Sequence, residues 1–197
     1  MKKDFFKDSK IKFPAYEPWI SSDDQKIVKK ALNQSMLTFG PQLEKFETDF
    51  CKYTKAKYAV AVSNCTAALH LSLKALGIKK DDEVIIPDLT FVADANAVLA
   101  CNAKPIVTDI NKENFFLSIS NVKKNITKKT KAIIPVHIYG QVCNIEEILD
   151  VARDNDLKVI EDCAHAVGTF HNSKHVGNLG KTGCFSFYPT KNITTAE

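Results

Sequence analysis

The sequence predicts an α/β layer fold around a mostly parallel sheet. From about residue 57 onward, short apolar runs of strand type alternate with stretches of helical period. That alternation belongs to sheets whose strands are joined through helices. A chain of 197 residues with 45% hydrophobic and 25% charged content is also long enough to bury one sizeable core. The reading divides it into a helical lead-in at 1–56 and a sheet-bearing domain at 57–197.

In the lead-in, Ser22-Asp23-Asp24 caps a helix whose Ile27, Val28, Ala31 and Leu32 share one face. Pro41 opens a second helix with Leu43, Phe46, Glu47 and Phe50 at helical spacing. Tyr58 to Val62 reads as the first strand and runs into Ser63-Asn-Cys-Thr-Ala67. A helix follows with Leu69, Leu73 and Leu76, stopping at Gly77. Strand Glu83 to Ile86 ends at Pro87; helix Phe91 to Cys101 and strand Pro105 to Asp109 come next. A helix near Ser120 to Ile126, strand Ala132 to Val136, helix Ile145 to Asp154 and strand Leu157 to Asp162 continue the alternation. Asn172-Ser173 suggests a hairpin turn, and Cys184 to Tyr188 reads as the last strand. Such a sheet binds ligands at the carboxyl ends of its strands.

Composition narrows the function. The formal net charge is +4 and nearly all positive charge is lysine, Arg153 being the single arginine. No basic stripe interleaved with aromatics is present, so nucleic acid is not an expected partner. Lys123-Lys124 and Lys128-Lys129 read as solvated surface. The six cysteines are scattered, with no C-x-x-C pair and no histidine at metal spacing, which predicts free thiols in a reducing cytosol and no metal centre. The start, Met1 to Lys7, lacks the apolar stretch of a signal peptide, and no window reaches the roughly 18–20 apolar residues of a membrane span. A cytoplasmic protein with no membrane partner is expected.

Three strand-end segments carry chemistry that suits one ligand, an aromatic cationic ring bearing a phosphate and an aldehyde. Ser63-Asn-Cys-Thr66-Ala67 puts backbone N–H groups and a hydroxyl at a helix start, where a phosphate is favoured; Thr66 or Ser63 would equally serve as a helix cap. Asp162 ends an apolar strand, and a carboxylate there keeps a pyridine nitrogen protonated. An ordinary turn-capping aspartate fits the same position. Lys191 follows the last strand; a neutral lysine amine forms an imine with an aldehyde, although in a lysine-rich chain surface charge is the commoner role.

What decides between these readings is a set of motifs in order: Phe39-Gly-Pro41, Ser63-Asn-Cys-Thr-Ala-Ala-Leu-His70, Pro87-Asp-Leu-Thr-Phe-Val-Ala-Asp-Ala-Asn96, Pro135-Val-His-Ile-Tyr-Gly140, Glu161-Asp-Cys-Ala-His165 and Ser186-Phe-Tyr-Pro-Thr-Lys-Asn-Ile-Thr-Thr-Ala-Glu197. With these the chain resembles the DegT/StrS family of nucleotide-sugar aminotransferases, which have the type I fold of pyridoxal-phosphate enzymes. The resemblance implies a three-layer α/β/α large domain over 57–197 and pyridoxal 5'-phosphate as cofactor. It implies that Lys191 holds the cofactor as a Schiff base and that Asp162 pairs with the ring nitrogen. Cys65, Thr66, Ala67 and Ser186 are expected to hold the phosphate, Cys65 and Ala67 through backbone N–H groups. Phe91 is expected against the ring face, and His165 near the phenolic oxygen; His137 is read as structural.

The resemblance further implies transfer of an amino group, with glutamate as donor, to a nucleotide-linked keto-deoxysugar in surface-polysaccharide or glycan synthesis, by a homodimer. Within the family, sugar dehydratases carry histidine in place of the Schiff-base lysine, and Lys191 argues against that activity. Cys65 stands where glycine is common, and Asp94 replaces a frequent threonine. Family members continue past the position of Lys191 into a small C-terminal domain, so the chain is expected to be an incomplete catalyst, with a cofactor-binding fragment without turnover as the alternative.

Overall fold

The computed structural model describes residues 17–195. Residues 1–16, with the Met1 to Lys7 start, and the motif's last two residues, Ala196 and Glu197, lie outside the described part. The described elements are α1 (Ser22–Leu32), α2 (Pro41–Thr54), α3 (Cys65–Ala75), β1 (Glu83–Pro87), α4 (Ala93–Ala100), β2 (Lys104–Thr108), α5 (Ile119–Asn125), β3 (Thr130–Ile133), α6 (Ile145–Asp154), β4 (Lys158–Asp162), β5 (Phe170–His171), β6 (Lys174–His175) and β7 (Thr182–Cys184). Among them no helix is long and apolar enough to cross a membrane.

One five-stranded sheet runs in the order β2-β1-β3-β4-β7, each neighbouring pair parallel. The pleat sends alternate residues to opposite faces. Val84, Ile86, Ala132, Ile134 and Ile160 pack with Leu69 and Leu73 of α3 and Ala97 and Val98 of α4. Ile85, Ile133 and Val159 face the other way, onto Val122 of α5 and Ile145, Ile148 and Val151 of α6. The result is the expected three-layer α/β/α arrangement. Each fully buried leucine or isoleucine contributes roughly 2 kcal/mol, so both helical layers are held by apolar burial, and the strand ends stay open for chemistry.

The β5–β6 hairpin turns at Asn172 and Ser173, both in the left-handed region at φ 48 and 64, as a tight hairpin requires. Close packing of glycines lays the loop after it against β7: a Cβ on Gly183 would overlap Gly177 Cα, and one on Gly177 would meet the Phe185 ring at 2.5 Å.

The structure corrects four boundaries. Tyr58 to Val62 is not a strand: no strand neighbours it among the described residues, and Tyr58 and Val60 are 76% and 78% exposed. A strand needs a partner for its N–H and C=O groups, and a β-branched run alone does not supply one. The last strand is Thr182–Cys184 rather than Cys184 to Tyr188, because β4 ends where Asp162 pairs with Cys184. Beyond that point Phe185 and Phe187 turn onto Phe50 and Phe46 of α2, edge to face at 5.0 and 5.2 Å. The fourth helix starts at Ala93, which leaves the Phe91 ring in the preceding loop. The cap of α1 is Ser21, in a reciprocal capping box with Asp24. The apolar face of α1 forms as expected but stays uncovered, with Ile27, Val28 and Leu32 exposed.

Candidate active site

Chain segments distant in sequence meet at the carboxyl end of the sheet. Asp162, the last residue of β4, is buried, and its Oδ1 accepts the Ala164 N–H at 2.8 Å. The turn-capping role therefore holds for one oxygen. Burial raises its pKa, against the opposing pull of the Ala164 N–H and the charge of Lys191. Lys191 is half-buried in a turn, its backbone N–H bonded to Tyr188 O at 2.9 Å. Its charge is felt at Asp162, at His165 and at Cys65, which brings four of the sequence-derived site residues into one electrostatic neighbourhood.

The start of α3 is an anion-binding terminus. Asn64, not Ser63 or Thr66, is the N-cap, and its side chain accepts the Ala67 N–H at 2.9 Å. The Ala67 N–H, expected to serve a phosphate, is engaged here by the cap in the ordinary N3 capping bond. The Cys65 and Thr66 N–H groups have no helical partner and remain available, together with the Thr66 hydroxyl. Burial, then the Asp162 charge, pushes the Cys65 thiol far up, so it is a neutral packing group.

Phe91 lies in the loop after β1 and is 73% exposed, and Ser186 is buried just after β7, its Oγ accepting the Tyr188 N–H at 3.4 Å. Both sit at the same end of the sheet as Asp162, without a side-chain bond to it. His165 stacks on Tyr139, ring centroids 5.5 Å apart and planes at 18°. Tyr139 is held in the left-handed region at φ 52. Burial and then the Lys191 charge lower the pKa of His165, leaving its ring neutral near pH 7.

Two carboxylates without a sequence-assigned role complete the site. Glu161, one residue before Asp162 and therefore on the opposite face of β4, is fully buried. Its oxygens accept from His137 Nε2 at 3.0 Å and from the N–H groups of Gly177, Leu179 and Gly180 at 2.8, 2.7 and 2.6 Å. His137 Nδ1 accepts the Cys143 N–H at 3.2 Å, which puts the ring proton on Nε2. Burial pushes Glu161 up, but the His137 bond and the loop N–H groups outweigh it and hold the carboxyl below its ordinary range. His137, Glu161 and Cys163 are close enough to suggest metal ligands. The His and Glu atoms are already spent on these hydrogen bonds, and the network is satisfied without an ion.

Asp94, in the first turn of α4, is wholly buried. Its Oδ2 accepts from Thr90 Oγ1 at 2.7 Å, while Oδ1 has no partner. Burial, then the Asp162 charge, pushes its pKa up to about 8. The sequence signal for both residues is an acid inside an apolar pattern: Glu161 in a strand and Asp94 in a helix otherwise rich in alanine. A separate groove of about 430 Å3 opens beside the amino end of β4, lined by Arg153, Asp156, Lys158 and Lys181 among others. It holds none of Asp162, Lys191, His165, Asp94 or the start of α3, and it lies at the wrong end of the strands for this chemistry.

Comparison with known proteins adds an independent line. The model of the DegT/DnrJ/EryC1/StrS aminotransferase family matches residues 18–197. The chain is 46% identical to an uncharacterized protein of Methanocaldococcus jannaschii, over 93% of this chain and 48% of that one. It is 42% identical to a GDP-perosamine synthase of Vibrio cholerae, over 93% of this chain and 50% of the relative. Among solved structures, the PLP form of a putative sugar aminotransferase of Streptococcus pneumoniae superposes with a TM-score of 0.90 at 30% identity, over 94% of this chain and 51% of that one. The chain thus spans about half the length of the curated relatives it matches.

Proposed function

Because the chain belongs to the DegT/DnrJ/EryC1/StrS aminotransferase family, we propose that it supplies the cofactor face of a pyridoxal-phosphate sugar aminotransferase. In this reading it moves an amino group from an amino acid, glutamate by preference, to a nucleotide-linked keto-deoxysugar for surface-polysaccharide or glycan synthesis. The observation that carries it is the meeting of Asp162, Lys191, His165 and the open start of α3 at one sheet end.

That donor set fits the cofactor. The Cys65 and Thr66 N–H groups and the Thr66 and Ser186 hydroxyls suit a phosphate; the Ala67 N–H joins them only by leaving Asn64. Buried Asp162 suits a ring nitrogen, and the exposed Phe91 ring suits an aromatic face. When bound, pyridoxal phosphate supplies an electron sink for the pair of electrons left when the donor's α-proton departs. Asp162 would place a carboxylate beside the ring nitrogen and so keep a proton on it. Lys191 would supply the amine that holds the cofactor's aldehyde and, once the donor's amino group takes its place and sets that amine free, the base that takes and returns the proton at the substrate α-carbon. Neutral His165 would offer a ring N–H to the cofactor's phenolic oxygen. A lysine at position 191 favours amino transfer over sugar dehydration.

We read residues 57–197 as the cofactor-binding portion of a large domain and 1–56 as its helical lead-in. The exposed Ile27, Val28 and Leu32 face of α1 supports pairing with a second subunit, and the free thiols support a cytoplasmic location. The reading is tested by a screen of nucleotide-linked keto-sugars with isotopically labelled glutamate. Label in an amino sugar is the expected outcome; transfer only to ordinary keto acids overturns the sugar assignment.

A further inference from the structure

Asp94 is wholly buried in the first turn of α4, and its surroundings leave one oxygen unexplained. Oδ2 is satisfied by Thr90, but Oδ1 is buried with no donor aimed at it. An ionised oxygen left that way loses its hydration without compensation. A proton on Oδ1 turns it from an orphaned acceptor into a donor, and the Asp162 side chain is the acceptor within hydrogen-bonding reach. Two carboxyl groups this close do not both ionise easily. The surroundings decide which keeps the proton: Asp162 has the Ala164 N–H and feels the charge of Lys191, while Asp94 has the Thr90 hydroxyl alone.

We propose that Asp94 is a positioning residue for Asp162: its buried carboxyl retains one proton, donates it to the Asp162 carboxylate, and leaves the pair a single negative charge toward the cofactor's ring nitrogen. The last clause rests on the cofactor reading above; the pairing itself does not. The other titratable groups around the pair are Lys191 from the turn after β7, His137 and Glu161 behind β4, and the thiols of Cys65, Cys163 and Cys184, which burial keeps neutral. A threonine at position 94 would serve as a donor without holding a titratable proton, so aspartate makes the site's charge depend on pH where threonine does not.

The test is a pH titration of the cofactor-free chain with its aspartate carboxyl carbons isotopically labelled, followed by NMR. Wild type is expected to show one buried carboxyl with a midpoint near 8, absent from both Asp94→Asn and Asp94→Thr. All aspartates titrating in the ordinary acid range, or a near-neutral midpoint surviving in both variants, overturns the proposal. Using two variants guards against one that fails to fold. Pyridoxal phosphate is then added. A cationic ring nitrogen beside the pair should lower the proton affinity of Asp94 by about tenfold, one pH unit. Binding with an unmoved midpoint overturns the role toward the ring. Failure of the cofactor to bind counts against the proposed function, and the cofactor-free titration still decides the pairing.

Discussion

His137 donates its Nε2–H to Glu161 Oε2 wholly inside the protein, at 3.0 Å with neither side chain exposed to solvent. Because Glu161 also gathers the N–H groups of Gly177, Leu179 and Gly180, this one carboxylate ties the loop after the hairpin to β4, the strand that ends in Asp162.

Glu161→Gln should therefore cost about 3 kcal/mol of unfolding free energy, since an amide presents N–H to N–H and leaves buried donors unpaired. Urea denaturation at neutral pH checks the value. The pH dependence has a definite sign. The Glu161 pKa is depressed in the folded state, so its stabilisation is complete above the ordinary glutamate pKa and is lost as pH falls through the lower folded value. Acid unfolding should be steeper in wild type than in the variant.

At the start of α3, Asn64 holds the Ala67 N–H. Asn64→Ala should destabilise the chain by about 1 kcal/mol in phosphate-free buffer. The same change frees a third N–H for an anion, so inorganic phosphate should recover part of the lost melting temperature. Equal losses with and without phosphate would count against an anion site there.

Asp162→Asn should leave the fold nearly intact, because an amide oxygen still accepts the Ala164 N–H. Amino transfer should fall on the order of 10²–10³-fold, an amide being unable to balance a protonated ring nitrogen. Circular dichroism checks the first half and single-turnover kinetics of the enzyme the second. Wild-type rates would place the electron-sink role elsewhere.

How much of this was legible in the residues follows from how local each signal is. The parallel strands β1 to β4 and the helices between them show in apolar runs and helical spacing, and the hairpin shows in Asn172-Ser173, because those patterns are set within a few residues. Tyr58 to Val62 has the composition of a strand but no neighbouring strand among the described residues, and pairing cannot be read from a single run. The ends of Asp162 and Lys191 were legible through their motifs. The Asp94–Asp162 pair was not, since the two residues are far apart in sequence and come into reach of each other only in the folded chain. His137 was read as structural; its partner Glu161 was hidden in its motif because nothing local shows that the loop at 177–180 folds back onto it.

The proposed function rests most heavily on Lys191, and a chain this rich in lysine offers many competitors. Surface lysines such as Lys26, Lys45 and Lys52 have solvent and nearby carboxylates for company. Lys191 alone among those with described partners acts on Asp162, His165 and Cys65 together, at the sheet end where a ligand is expected. Borohydride reduction in the presence of pyridoxal phosphate, followed by peptide mapping, should place the pyridoxyl group on Lys191 in preference to every other lysine. Lys191→Ala should lose that label while the chain still binds the cofactor noncovalently, because the α3 terminus and Asp162 are untouched by the change. Label distributed among exposed lysines, and unaltered in Lys191→Ala, would show that the amine at this position is not the anchor.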